Sequence, residues 1–155
     1  MPKSFIKLKH LRQREAYSCV PACVRMLLQY YGDGRTEEDL CVLLGCMPYG
    51  TSAEGVARVS GLGYEVELRY STFEELKALI DAGQPVMVFV RTGGLDYWSE
   101  DCPHAVVVVG YDEDSVYIDD PYFEDAPQRT RFKTFRVAWW RTRNRLAVIR
   151  PRQIR

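Results

Sequence analysis

Apolar residues along Cys19-Val-Pro-Ala-Cys-Val-Arg-Met-Leu-Leu-Gln-Tyr-Tyr31 fall at helical spacing, and Gly32 ends the run. Ser18 offers a side-chain cap, and Pro21 suits a first turn because it lacks a donor that would be unpaired there anyway. The pattern therefore predicts a helix that begins at Cys19. A second helix follows Thr36, with Asp39 completing a capping-box-like pattern, Leu40, Leu43 and Leu44 as its apolar face, and Gly45 as its stop. A third is expected after Thr51-Ser52, through Val56 and Val59 to Gly61-Leu-Gly63, and Ser71 to Ile80 reads as a capped amphipathic helix closed by Gly83. The period changes to two at Tyr64-Glu-Val-Glu-Leu68. Pro85 to Val90, His104 to Gly110, Ser115 to Asp119 and Leu146 to Ile149 are further strands rich in branched side chains. Short turns between several of these strands predict antiparallel pairing, with the early helices on one side, an α+β architecture. With no repeat, low-complexity tract or linker, residues 1–155 are expected to form one domain.

Composition narrows the function. Lys plus Arg and Asp plus Glu each total 21, so no overall positive field favours nucleic acid as a partner. Arginines at 129, 131, 136, 141, 143, 145, 150, 152 and 155 make the C-terminal region basic, which reads as a solvated face and a frayed end. No stretch approaches the ~20 apolar residues that cross a bilayer, and the N-terminus lacks a signal-peptide core, so no membrane segment is expected and a cytoplasmic placement follows. Five cysteines, an odd number at irregular spacings, read as reduced thiols rather than a disulfide framework.

One thiol has a chemical setting. Cys19 stands at a helix N-terminus, where partial positive charge favours an anion, and Gln13 lies six residues before it. One of only two histidines, His104, opens the valine strand, and Asp119-Asp120-Pro121 ends the next. Thiol, imidazole and carboxylate are what a cysteine nucleophile needs. Adjacent strand residues point to opposite faces, so only one of Asp119 and Asp120 can face the imidazole. Taken singly, each has a plainer reading: a histidine at a strand start is usually structural, and an aspartate before proline makes an Asx turn. Cys23, Cys41 and Cys46 read as packed residues, Cys102 as a loop cysteine, His10 as solvent-exposed, and Trp98, Trp139 and Trp140 as core or rim fillers, with Tyr97-Trp98, in the loop leading to His104, also a candidate lining of the substrate groove.

The segment Gln13-Arg-Glu-Ala-Tyr-Ser-Cys19-Val-Pro-Ala-Cys-Val-Arg-Met-Leu-Leu-Gln-Tyr-Tyr-Gly32 resembles the opening motif of the bacteriocin-processing peptidases, papain-like domains that cut leader peptides after a double glycine. The resemblance continues through Gly50-Thr-Ser, Leu79-Ile-Asp-Ala-Gly-Gln-Pro-Val86, the His104 strand to Gly110-Tyr, Asp120-Pro121 and a late helix from Phe135 to Trp139, covering residues 11 to 150. It implies a papain-like cysteine peptidase fold, an N-terminal helical lobe packed on a C-terminal antiparallel sheet. It further implies Cys19 as nucleophile, His104 as base, Asp120 as orienting carboxylate, and Gln13 with the Cys19 amide as the oxyanion hole. The chain departs from members at Val20, where they commonly have glycine, and by having no transporter joined to it, which implies a free-standing enzyme. The expected activity is thiol-dependent cleavage of a peptide or protein with small residues, Gly-Gly among them, before the cut, without cofactor or metal. Two alternatives use the same groove: a catalytically silent peptide-binding module, and an acyl transferase. A zinc site of Cys19, Cys23 and His104 is a third, although cysteines four apart in a helix do not match the usual short-loop pairs.

Overall fold

The computed structural model describes residues 3–153; Met1-Pro2 and, in the basic C-terminal region, Arg155 lie outside them. The elements run β1 (Ser4–Phe5), α1 (Cys19–Tyr30), α2 (Glu37–Leu44), a 3-10 run (Ala53–Leu62), β2 (Tyr64–Tyr70), α3 (Phe73–Asp81), β3 (Val86–Arg91), a short 3-10 turn (Thr92–Gly94), β4 (Pro103–Tyr111), β5 (Ser115–Asp119), β6 (Gln128–Arg131), α4 (Phe132–Trp140) and β7 (Arg145–Pro151). All strand pairs are antiparallel, in the order β2-β7-β3-β4-β5-β6, with β1 added beside the far end of β4 at Tyr111 and Gly110. This is the α+β architecture that the alternating and helical patterns predict.

Both faces of the sheet are covered. Val88, Val106, Val108, Leu146 and Val148 pack against Leu76 and Ile80 of α3 and Phe135 and Trp139 of α4. On the other face Met87, Ala105, Val107, Ala147 and Ile149 pack against Val24, Leu27 and Leu28 of α1 and Leu40 and Leu44 of α2. Two-sided burial explains why β4 reads as an unbroken valine run rather than an alternating one. The early helices do share one side, and the later two close the other.

Helix ends follow the polar signals at α2 and α3 but not at α1 or at the 3-10 run, where Ser52 makes no side-chain cap. Thr36 and Thr72 accept from the backbone N–H of Asp39 and Glu75, each at 3.1 Å. Ser18 does not cap α1: its hydroxyl accepts from Glu15 N–H at 2.9 Å and donates to the Glu15 carbonyl at 3.0 Å, folding the turn before the helix instead. Gly45 takes φ +74° at the end of α2, a left-handed position that only glycine adopts without strain. The third expected helix is a 3-10 run. Its apolar contacts, Val56, Val59 and Leu62, repeat every three residues, which is the 3-10 period, and Gly55 lies so close to the Leu44 carbonyl that a Cβ would meet that oxygen at 2.5 Å. Two interior glycines further weaken an α-helix there.

The C-terminal arginines are spread over the surface rather than gathered on one face. Arg131 pairs with Asp96, Arg129 with Asp114, Arg145 with Glu54 and Arg150 with Glu67. Exposed pairs of this kind are screened by water and contribute little to stability.

Candidate active site

The loop before α1 is tied down at three points. Gln13 N–H donates to the Pro121 carbonyl at 2.7 Å, Arg14 N–H donates to both carboxylate oxygens of Glu37 at 3.2 Å, and the Ser18 turn closes on Glu15. Glu37 is buried, and that burial raises its pKa although the Arg14 amide opposes it. These ties deliver Cys19 as the first residue of α1, half-exposed, with no acidic side chain in the first turn to offset the positive helix end. Cys19 and Val20 line a groove of about 410 Å³ with the turn Tyr49–Ala53, Phe89, His104 and Thr142. Val20 is 4% exposed and packs with the α1 core, so its branched side chain lies mostly inside rather than across the groove.

His104 enters from the sheet. It pairs with Val90 across the β3–β4 ladder and is 8% exposed. Its Nε2 donates to Asp120 Oδ1 at 2.7 Å, because an ionised carboxylate can only accept, and Nδ1 is left for Cys19. Burial alone would lower the imidazole pKa, but the hydrogen bond to Asp120 and then the neighbouring Cys19 overcome it, raising the group to about 10. Asp120 is fully buried. Burial pushes its carboxyl up, and the bonds from His104, Trp98 and the Tyr122 amide outweigh it and hold the pKa below the ordinary aspartate value.

Every lone-pair direction of Asp120 is used. Oδ1 also accepts Tyr122 N–H at 3.0 Å, an Asx turn, while Oδ2 accepts the Tyr97 hydroxyl and the Trp98 indole N–H, each at 2.9 Å. The plain turn-forming reading and the orienting reading are therefore both true of the same carboxylate. Trp98 stands edge-on to the His104 ring at 5.1 Å and stacks near Tyr122 at 4.8 Å, so aromatic rings shield the pair from water. Tyr97 and Trp98 join the site through Asp120, whereas the sequence reads Trp98 as core or rim filling and the Tyr97-Trp98 loop as a candidate groove lining, and neither residue lines the groove. Their signal was two aromatics with polar tips in the loop feeding His104.

The alternation argument separates the two aspartates. Val116 and Ile118 face the α3/α4 side and Tyr117 faces α1, and Asp119, buried at the end of β5, senses His10 rather than His104. Its pKa is raised to about 6 by burial, with His10 lowering it in opposition. His10 is not the solvent-exposed residue expected: it is half-buried, with Nε2 at 2.7 Å from the Phe123 carbonyl and Nδ1 buried without a partner. Cys23 is fully buried one turn below Cys19, and burial raises its pKa well above the ordinary thiol value.

Gln13 has a different setting from the other three. Its amide nitrogen donates to the Glu15 carbonyl at 2.8 Å and the Ala16 carbonyl at 3.3 Å, its Oε1 is buried without a partner, and it is not among the groove's lining residues. Among the described residues no group of three His, Cys, Asp or Glu side chains is arranged to hold a metal ion, and no helix is long and apolar enough to cross a membrane.

A family model for the Peptidase_C39-like family matches residues 5–147. The chain belongs to the C39-like peptidase family. Among solved structures, a protein described as a C39-like peptidase from Bacillus anthracis superposes with a TM-score of 0.81 at 19% identity, covering 98% of this chain and 100% of that one. A double-glycine motif protease from an AMS/PCAT transporter, in complex with its leader peptide, gives 0.76 at 21% identity over 97% and 96% of the two chains. The peptidase domain of Streptococcus ComA, a bi-functional ABC transporter of a quorum-sensing pathway, gives 0.76 at 23% identity over 94% and 98%. At these identities the likeness establishes a shared fold: N-terminal helices on an antiparallel sheet. No curated protein matches the sequence.

Proposed function

We propose that this C39-like family member is a cysteine peptidase in which Cys19 attacks, His104 moves the proton and Asp120 orients the imidazole. The observation that carries the reading is the buried 2.7 Å His104–Asp120 bond beside a thiol at the head of α1. In the acylation step the Cys19 Sγ forms a bond to the scissile carbonyl carbon, the C–N bond breaks, and His104 gives its proton to the leaving amine. Water, deprotonated by His104, then cleaves the thioester and frees the thiol.

The oxyanion would be met by the Cys19 N–H, one of the helix-start donors without an intrahelical partner, and by Gln13 Nε2. For Gln13 this requires release of its longer bond, the 3.3 Å one to the Ala16 carbonyl. A donor aimed at the developing charge contributes about 3 kcal/mol. The similar double-glycine motif protease, seen with its leader peptide, supports a segment with small residues before the cut, and the groove beside Cys19 would receive it. Five free cysteines support a cytoplasmic, reducing setting.

The engaged Gln13 amide favours one competing reading, a groove that binds peptide without cutting it. Incubation of wild type and Cys19→Ala with a peptide library, read by mass spectrometry, decides between them. Cleavage by wild type alone supports the peptidase; peptide capture by both without cleavage overturns it. Products carrying a new amide in place of a free carboxylate would assign the same thioester to acyl transfer.

A further inference from the structure

Two more thiols meet outside the groove. Cys41 lies in the last turn of α2, and Cys46 is the residue after Gly45, whose left-handed conformation reverses the chain. The Cys46 N–H donates to the Cys41 carbonyl at 2.9 Å, the six-to-one bond of a glycine-terminated helix, which sets the side chains of these two positions against each other. Both cysteines are free and half-buried, and neither belongs to the apolar core on either face of the sheet, unlike the packed role their sequence context suggests. Around them stand Glu15 and Tyr17 from the loop before Cys19 and Glu37 from α2. The chain then leads through the Met47–Gly50 turn into the groove wall.

We propose that Cys41 and Cys46 form an oxidant-sensitive modification site that closes to an intramolecular disulfide with a hydroperoxide as co-reactant. The Cys46 sulfur attacks the O–O bond, which breaks; Cys46 becomes a sulfenic acid, and the departing hydroxide leaves as water with the thiol proton. The Cys41 sulfur then displaces the sulfenic hydroxyl, the S–S bond forms, and the second water carries away the Cys41 proton. Two thiols lose two electrons and one peroxide becomes two waters. Burial first, then the neighbouring Cys46, push the Cys41 thiol up to about 12, and exchanging the roles of the two sulfurs gives the same disulfide. The acidic neighbours Glu15 and Glu37 disfavour anionic oxidants such as glutathione disulfide and leave a neutral peroxide as the fitting one.

The test uses the folded Cys19→Ala protein, so that the groove thiol does not compete. Five cysteines less Cys19 leave four thiols. After hydrogen peroxide, quenching and unfolding, titration should find two. Trypsin releases residues 36–58 as a single peptide containing both sulfurs and no other cysteine; it should be lighter by two hydrogens and regain them with dithiothreitol. Adding Cys41→Ser should abolish that mass loss. Four remaining thiols, oxidation confined to Cys23 or Cys102, or a disulfide joining two chains would overturn the proposal.

Discussion

The imidazole of His104 and the carboxylate of Asp120 form an ion pair at 2.7 Å in which the acid has no solvent contact and the base almost none. Its charge state links stability to pH in two windows. His104 has a folded pKa raised to about 10 from an ordinary 6.5, so its contribution is complete below about 6.5 and is lost as pH rises toward 10. Asp120 has a lowered folded pKa, so its contribution is complete above the ordinary 3.8 and is lost as pH falls through the folded value. Wild type should therefore outlast Asp120→Asn most clearly between about pH 4 and 6.5, with the gap closing as pH rises toward 10. Urea midpoints of both proteins across pH measure it; a gap that widens above pH 7 would contradict the assignment.

Trp98 and Tyr97 hold the other oxygen of the same carboxylate. A hydrogen bond to a charged group is worth about 1.5–3 kcal/mol, and losing one frees Asp120 to turn from the ring. Trp98→Phe keeps the aromatic shield and removes only the donor. If the proposed cleavage holds, it should lower kcat about tenfold or more with little change in KM, and Tyr97→Phe should act in the same direction. Because the two donors share one oxygen, their effects should not add. Equal losses in KM and kcat would indicate a damaged groove instead.

Much of this arrangement is written in local patterns. The capped, glycine-ended helices and the valine strand are legible because each element's period and stop signals agree. Cys19, His104 and Asp120 are legible as residue types, but choosing Asp120 over Asp119 needed the resemblance, since a pleat tells only that the two differ. The polar strand β6, Gln128-Arg-Thr-Arg131, is an edge strand with little burial and carries no apolar alternation to read. The third helix is legible as a helix but not as a 3-10 one, although Val56, Val59 and Leu62 repeat every three residues. The bonds from Tyr97 and Trp98, and those of Gln13 to its own loop, depend on where a loop folds back, which no periodicity encodes.

Asp119 offers a contrasting titration one residue from the site. Its folded pKa is raised to about 6, so the native state binds a proton that the unfolded chain has released, and stability falls as pH rises from about 4 to 6. A shift of about two units corresponds to roughly 3 kcal/mol as an upper figure. Asp119→Asn, which cannot ionise, should be more stable than wild type by roughly 2–3 kcal/mol at pH 8 and indistinguishable from it at pH 3. Denaturation at the two pH values checks both the sign and the assignment of Asp119 to the α1 side. A loss at pH 8 would mean that the ionised carboxylate has a stabilising partner.

Val20, the residue after Cys19, separates packing from the reactivity of the neighbouring thiol. Its side chain is almost wholly buried with Val24 and Leu27, so Val20→Gly removes apolar contacts and adds backbone freedom in the first helical turn. Losing the side chain and gaining a helical glycine together should cost about 2–4 kcal/mol of stability, read from chemical denaturation. The thiol itself does not depend on that side chain. In the fraction that remains folded, alkylation of Cys19 should therefore proceed within about threefold of the wild-type rate, a change of under 1 kcal/mol in barrier. A rate that rises tenfold or more on opening the position would show that Val20 obstructs the groove, and the resting shape of the site would then be set by this residue rather than by the helix beneath it.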